Sequence, residues 1–152
     1  MDIDFSAYLA PGPCIDSDHP AIIELARSLV REDIDQRQNA IALYYWVRDE
    51  IRYNPYGLGL TLEDQMASRT LAAGQGWCVP KAILLSALCR ASGIPARLGF
   101  ADVRNHLSTQ RLRDTMDTDI FYFHGYSSLF LEGQWVKATP AFNLSLCEKF
   151  NL

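Results

Sequence analysis

The stretch of sequence that most constrains the fold of this chain is residues 74–93, GQGWCVPKAILLSALCRASG. The residues that follow Cys78 are apolar nearly all round a helix, which predicts a buried central helix. Pro80 is tolerated in a first helical turn, and Gly93 with Pro95 ends the helix. Cys78 therefore lies at a helix N-terminus, where the helix dipole and the free N–H groups favour a thiolate. Such a cysteine is a candidate nucleophile, and the alternative is a small buried hydrophobe.

Length and charge narrow the classes of protein to which this chain can belong. Its 152 residues suit one domain with its own core, so we expect a single domain over residues 1–152. The net charge of −4 and the lack of a Lys/Arg cluster argue against a nucleic-acid partner. No apolar run approaches the roughly 18 residues of a transmembrane helix, so no membrane partner is expected. Residues 1–14 lack the basic and apolar regions of a signal peptide, which predicts a cytoplasmic protein.

The spacing of the cysteines argues against a metal site and against a disulfide framework. The chain has four of them, Cys14, Cys78, Cys89 and Cys147, scattered without a C-x-x-C pair. In a reducing compartment all four are expected to be free thiols. Cys89 lies three helical turns after Cys78 and is predicted to be a core thiol.

The order of the remaining elements predicts an α+β fold. Apolar residues at helical spacing predict helices over Pro20 to about Glu32, about Asp35 to Tyr53 and Leu62 to Met66. The periodicity then changes, and strands are predicted over 96–103, 120–131 and 134–141. Glu132-Gly133 is predicted to be a tight hairpin turn between the last two strands. Polar residues 104–119 predict a long loop, or a short helix around Thr109 to Asp114. Helices followed by strands favour an antiparallel sheet packed on the central helix.

A thiol nucleophile needs a base that is close in space, and His124 is the best candidate. His19 and His106 lie in predicted loops, whereas His124 lies in a predicted strand and precedes Gly125, which leaves room beside the ring. A central helix packed on that strand would bring Cys78 and His124 within hydrogen-bond distance. The imidazole would then hold the thiol as a thiolate and later protonate the leaving amine.

The predicted hairpin register indicates which side chains surround His124. With Glu132-Gly133 as a two-residue loop, His124 faces Ala141 across the ladder. Thr139 and Asn143 are then diagonal neighbours on the same face, where a group that orients the base must lie. Neither residue is a carboxylate. Thr139 would accept weakly from the imidazole Nδ1–H, and the amide carbonyl of Asn143 is the better acceptor.

Together these motifs resemble the transglutaminase-like superfamily. The matching motifs, over Trp46 to Pro140, are Gly76-Trp77-Cys78 at a helix start, the run Cys89–Arg97, His124-Gly125-Tyr126 in a strand that ends at Gly133, Trp135-Val136, and Thr139-Pro140. The resemblance implies a papain-like core with Cys78 as nucleophile, His124 as base, and no metal or organic cofactor. It also implies a function among cross-linking acyltransferases, peptidases and amide-cleaving enzymes.

One position departs from the family's pattern. The family usually has an aspartate, often followed by proline, where this chain has Thr139 before Pro140. The dyad then acts with weaker orientation, or Asn143 substitutes, or activity is lost. Some relatives are also expected to continue beyond Leu152, which would make this chain a truncated form of the domain.

Two functions follow from these alternatives. The first is a cysteine acyl-transfer enzyme that cleaves a peptide or protein amide, with hydrolysis favoured over cross-linking because the domain is small and has no calcium-site pattern. The backbone N–H of Cys78 would stabilise the oxyanion, with Gln75 or the Trp77 indole as a second donor. The second is a non-catalytic binding or scaffold domain. Residues 54–59 and 104–119 are the predicted walls of the substrate groove, and the sequence leaves the oligomeric state open.

Overall fold

A computed structural model describes residues 2–57, 59–104, 110, 111, 114 and 120–149 of the chain. Its α-helices are α1 (Ser6–Leu9), α2 (Pro20–Leu29), α3 (Gln36–Glu50), α4 (Ala67–Ala73), α5 (Cys78–Ala91) and α6 (Leu144–Lys149). Its strands are β1 (Arg52–Tyr53), β2 (Gln75–Gly76), β3 (Ala96–Arg104), β4 (Ile120–Leu131) and β5 (Gln134–Ala138). The predicted short helix at 62–66 is a 3₁₀ turn over Glu63–Gln65. The α+β class is confirmed.

The central helix α5 is the core of the molecule, as predicted. Every residue from Val79 to Cys89 is buried, and α2, α3, α4 and the sheet pack around it. The helix stops at Gly93, whose φ of 75° is a left-handed conformation that a side chain would disfavour. The helix is apolar on all sides rather than on one face, which explains why other elements enclose it completely.

The sheet is antiparallel with the order β3-β4-β5, and its hairpin has the predicted register. Leu131 pairs with Gln134, and pairing continues to Ser127 opposite Ala138. Positive φ values at both turn residues, 51° at Glu132 and 83° at Gly133, give the tight two-residue loop. Residues 127, 129 and 131 of β4 are buried, so this face of the sheet packs on α5.

The third strand is shorter than predicted. It ends at Ala138 instead of Ala141, so the expectation that His124 faces Ala141 across the ladder is wrong. The cause lies outside the sheet, because the chain turns away to bring the Ala141 carbonyl to within 2.8 Å of the buried Lys81 ammonium.

The second predicted helix also ends early. The helix α3 stops at Glu50, and the chain continues as the two-residue strand β1, which pairs in parallel with β2. The pairing places Tyr53 opposite Gly76, two residues before Cys78. This short ladder fixes the approach of the chain to the start of α5. The first predicted helix likewise ends at Leu29 rather than Glu32.

The N-terminal residues are more ordered than the predicted irregular lead-in. They form α1, and Tyr8 packs edge-on against Trp135 with ring centroids 5.0 Å apart. The guanidinium of Arg97 lies 4.1 Å from the Trp135 ring centroid, and Arg90 donates to the Ala10 carbonyl at 2.6 Å. These contacts tie the N-terminus to β3, β5 and α5. They join residues far apart in the sequence, which is why local pattern did not predict α1.

Candidate active site

The nucleophile candidate Cys78 is the first residue of α5, directly after the extended N-cap residue Trp77. Its side chain is half-buried, and all four cysteines are free thiols. Backbone N–H groups of Gly125, Val79 and Cys78 itself donate toward the sulfur. Three donors converge on one Sγ because the helix N-terminus leaves its first N–H groups unpaired and β4 adds another.

The ionisation state of Cys78 reflects two opposed effects. Burial raises the pKa of the thiol, and the three N–H groups lower it, but burial is the larger effect. The protein at neutral pH therefore carries a thiol rather than the thiolate that the helix N-terminus predicts. The sequence indicates the helix position but not the desolvation, which depends on the strand packed against the helix.

A glycine allows that strand to contact the helix. A Cβ on Gly125 would lie 2.8 Å from Val79 Cγ2 and 3.0 Å from Val79 Cα, closer than real Cβ atoms approach such neighbours. The sequence predicted that Gly125 leaves room beside the His124 ring. In the structure the first turn of α5 occupies this room. The close approach lets the Gly125 N–H reach the Cys78 sulfur, and His124 is the next residue along β4 from that contact.

We expect Gly125→Ala to impair the site more than the fold. The added methyl group meets backbone at Val79 and so forces β4 and α5 apart, at a cost of about 1–3 kcal/mol. A displacement of about 1 Å at the reacting atoms is enough to slow acylation of Cys78 by about 100-fold. Urea unfolding and acylation rates measure the two effects. Gly12→Ala is the matched control, because its Cβ has no neighbour closer than 3.9 Å. Equal rates in the two variants would contradict the packing argument.

His124 lies on β4, paired with Ala101 of β3, and its side chain is half-buried. Burial lowers the pKa of its imidazole below the ordinary value of 6.5. The ring is therefore neutral at pH 7, which is the form that accepts a proton. Among the described residues the imidazole has no hydrogen-bond partner, and both the Cys78 thiol and the His124 ring are uncharged at pH 7.

The backbone just before His124 has an unusual conformation. Phe123 has a φ of 54°, and the β3–β4 pairing shifts by one residue between Ala101 and Val103. The carboxylate of Asp102, at this bulge, accepts a hydrogen bond from the Phe123 N–H at 3.1 Å. Bulges redirect side chains at sites of this kind. The sequence analysis missed Asp102, which has no motif of its own and is recognised only from the strand register.

The two candidates for orienting His124 form described hydrogen bonds with other residues. Thr139 follows the end of β5, is exposed, and accepts at its carbonyl from the Tyr44 hydroxyl at 3.2 Å. It lines a groove of about 600 Å³ between α3 and the β4–β5 hairpin. Within the described residues no hydrogen bond joins its hydroxyl to His124.

Asn143 is buried, and its side-chain amide binds backbone groups. Its Oδ1 accepts from the Tyr53 N–H at 2.8 Å, and its Nδ2 donates to the carbonyls of Arg48 and Ile51. The amide therefore binds the C-terminal end of α3 and the start of β1. Among the described residues no hydrogen bond joins Asn143 to His124, and the role of Asn143 as the acceptor for His124 stays a prediction.

A buried lysine, which the sequence analysis missed, completes the same polar cluster. Lys81 has no exposed surface, and its Nζ donates to the carbonyls of Arg48 (3.0 Å), Ile51 (2.6 Å) and Ala141 (2.8 Å). Burial lowers the pKa of this ammonium to about 7, whereas three carbonyl acceptors favour its protonated form. A charged residue inside the apolar run after Cys78 was the available signal.

Gln75 and Trp77 were predicted as second oxyanion donors. Gln75 Oε1 accepts from Arg52 at 2.6 Å and from Asn54 at 3.3 Å, which fixes its amide toward β1. Trp77 is half-buried and packs against the core. Both line a cavity of about 240 Å³ beside Gly57 and Gly59. Their role as donors stays a prediction.

The two predicted walls of the substrate groove meet at one described contact. The guanidinium of Arg111 lies 5.8 Å from the centroid of the Tyr56 ring. Tyr56 is largely exposed, so this pair lies on the surface. His106 and the predicted helix around Thr109 to Asp114 lie largely outside the described residues.

A cysteine at the start of a buried helix, packed on an antiparallel sheet that carries a histidine, defines the papain-like class of fold. The model of the transglutaminase-like superfamily matches residues 23–140 of the sequence, so the chain belongs to that superfamily. This confirms the resemblance. No curated protein matches the chain.

Two solved structures share the fold. One is a candidate cysteine protease from Cytophaga hutchinsonii, with a TM-score of 0.72 and 23% identity over 92% of this chain. The other is the periplasmic domain of TgpA from Pseudomonas aeruginosa, with a TM-score of 0.54 and 17% identity over 80% of this chain. The chain spans only 43% and 42% of those two proteins.

The described residues provide neither a metal-binding cluster nor a membrane-spanning helix. The part of the chain that the structure describes has no group of three or more His, Cys, Asp or Glu side chains arranged to hold a metal ion. In the same residues, no helix has the length and apolar character needed to cross a membrane.

Proposed function

We propose that this protein is a cysteine-dependent acyl-transfer enzyme that hydrolyses a peptide or amide bond through a thioester on Cys78. The observation that carries this proposal is the close packing of Gly125 on the first turn of α5. That packing directs the Gly125 N–H at the sulfur, and His124 is the residue of β4 directly before Gly125. The superfamily and the fold shared with a candidate cysteine protease support the same class of enzyme.

The proposed reaction begins with the Cys78 thiol and the His124 imidazole both uncharged. As Sγ attacks the carbonyl carbon, His124 takes the thiol proton and the carbonyl electron pair moves to oxygen. The electron pair returns from the oxygen to the carbonyl when the C–N bond breaks, and His124 gives its proton to the leaving amine. Water then attacks the thioester while His124 accepts the water proton. The C–S bond breaks, and the proton returns to the sulfur of Cys78.

The experiment that tests this proposal detects the thioester. The protein is mixed with p-nitrophenyl acetate, quenched in acid and digested, and mass spectrometry locates the acetyl group. We expect acetyl on Cys78 that disappears on standing in buffer. A primary amine added after acylation should not speed the loss of acetyl, because in the proposed hydrolysis it is water that attacks the half-buried thioester. Loss that occurs only with the amine would favour a transferase, and absence of acetyl on Cys78 would contradict the proposal.

The pH dependence follows from the directions of the two pKa shifts. A base works in its neutral form, and burial lowers the pKa of His124 below 6.5, so the acylation rate should rise with pH with its midpoint below pH 6.5. Burial raises the pKa of Cys78 above 9.0, so the rate should stay flat through pH 8 and rise only in more alkaline solution. Stopped-flow release of p-nitrophenol, with Cys78→Ala as blank, gives the profile. A fall in rate between pH 7 and 9 would instead indicate a preformed ion pair.

A non-catalytic binding or scaffold domain is the second candidate function. Two observations favour it, namely the threonine at position 139 in place of the usual aspartate and the lack of a described partner for the His124 imidazole. Such a domain would bind a peptide without cleaving it. It would also leave Cys78 no more reactive toward esters than Cys147, which serves as an internal reference thiol.

A further inference from the structure

Tyr53 is held rigidly at the start of the candidate site. Backbone hydrogen bonds hold the residues on either side of it, because the Arg52 N–H donates to the Gly74 carbonyl at 2.9 Å and the Asn54 N–H donates to the Gly76 carbonyl at 3.0 Å. Its own N–H donates to Asn143. Its ring packs edge-on against Phe142, with centroids 4.8 Å apart. The phenol therefore has a fixed position, which catalytic donors need.

The position of Tyr53 is close to Cys78. Its ladder partner Gly76 lies two residues before the nucleophile, in the chain that leads directly into α5. Burial, together with a smaller repulsion from negative charge on Cys78 and Tyr56, raises the pKa of the phenol to about 12. The hydroxyl therefore keeps its proton throughout the physiological range and acts as a permanent hydrogen-bond donor.

The hydroxyl of Tyr53 has no acceptor within the described part of the chain. Half-buried tyrosines usually place their O–H on a partner. Among the described residues, the unpartnered polar side-chain atoms that are sealed from solvent belong to Asp16, Gln65 and Ser92. The Tyr53 hydroxyl is not among them, so it is reached by solvent and is open to a ligand. The Tyr53 hydroxyl is therefore a fixed, protonated and unpaired donor near the nucleophile. Such a donor suits an acceptor that exists only during the reaction.

We infer that Tyr53 donates a hydrogen bond to the acyl carbonyl oxygen while Cys78 attacks the carbonyl carbon. This inference rests on the proposed function. The S–C bond forms, the carbonyl electron pair moves to oxygen, and the Tyr53 O–H and the Cys78 N–H share the negative charge. Tyr53 keeps its proton, and the hydrogen bond weakens when the electron pair returns and the C–N bond breaks. Tyr53 thus supplies the second donor for the oxyanion.

Tyr53→Phe tests this inference with two reactions of the same sulfur. Acylation by p-nitrophenyl acetate passes through an oxyanion, whereas alkylation by iodoacetamide does not. We expect the variant to acylate about 100- to 1,000-fold more slowly, since one oxyanion donor is worth that much, and to alkylate at the wild-type rate. Tyr8→Phe, which removes a hydroxyl on the far side of the sheet, is the matched control and should change neither rate.

Each outcome of this experiment has a distinct meaning. Equal acylation rates in the wild type and Tyr53→Phe would overturn the role of Tyr53 and leave the proposed function intact. A parallel fall in acylation and alkylation would also overturn it, because a structural defect slows both reactions. If the wild type itself is not acylated on Cys78, the proposed function fails, and the inference fails with it.

Discussion

Replacement of Cys78 by alanine is expected to abolish acyl transfer and leave the fold intact. The thiol is the only group in the proposed mechanism that forms a covalent bond with the acyl group. Removal of a nucleophile that acts as a unit with its base typically lowers turnover by about 10⁵- to 10⁶-fold. The side chain is small and half-buried, so its loss should change the free energy of unfolding by only about 1 kcal/mol.

The measurement for this variant compares ester acylation and urea unfolding with the wild type. Cys147→Ala is the matched control, since Cys147 is a second half-buried thiol on α6. It should keep full activity and similar stability. Activity retained by Cys78→Ala on any substrate of the wild type would remove Cys78 as the nucleophile.

Replacement of Lys81 by methionine is expected to have the largest effect on stability. The methionine side chain fills a similar volume but donates no hydrogen bond. Three buried carbonyls each lose one donor, and the Ala141 carbonyl, unlike those of Arg48 and Ile51, has no second donor in Asn143. The loss of three hydrogen bonds from one buried donor, with the Ala141 carbonyl left unpaired, costs about 3–5 kcal/mol in total. A domain of this size is commonly stable by only about 5–15 kcal/mol, so a large part of the folding free energy is lost.

Urea unfolding followed by circular dichroism tests the Lys81 prediction. Lys137→Met is the matched control, because Lys137 lies on the surface of β5, where its ammonium is 5.1 Å from the Tyr126 ring centroid. Its midpoint should shift by no more than the equivalent of about 0.5–1 kcal/mol. If Lys81→Met unfolded at the same urea concentration as this control, Lys81 would not stabilise the fold as described.

Local sequence rules predicted the parts of the fold that depend on neighbours in the chain. The enclosure of α5, its end at Gly93 and the two-residue turn at Glu132-Gly133 follow from apolar periodicity and from residues that accept positive φ. The position of Cys78 at the first residue of the helix followed from the same signals. These features are set within a few residues of each other.

Long-range polar contacts determine the parts that the sequence did not predict. Lys81 and Asn143 take the carbonyls at the end of α3, so the helix stops at Glu50 and releases Tyr53 into β1. Lys81 also binds the Ala141 carbonyl, so β5 ends early. Asn143 is therefore not on the β4–β5 ladder, where it was predicted to lie diagonal to His124. Each of these contacts joins segments 30 or more residues apart, and no local pattern encodes them.

The ionisation of Cys78 shows a similar limit. A helix N-terminus favours a thiolate, and the sequence shows that position clearly. The desolvation that raises the pKa depends on how closely Gly125 brings β4 to the helix, which is a property of the packed structure.

The measurement that tests the central claim most directly is the effect of His124→Ala on acylation of Cys78. Wild type and variant react with p-nitrophenyl acetate at pH 7, and mass spectrometry reports acetyl on Cys78 with Cys14 and Cys147 as internal reference thiols. We predict that Cys78 reacts fastest in the wild type and slows by about 100- to 10⁴-fold in the variant, while the references are unchanged. Acylation of Cys78 that is equally fast without His124, or no faster than that of the reference thiols, would contradict a nucleophile and base formed by this pair.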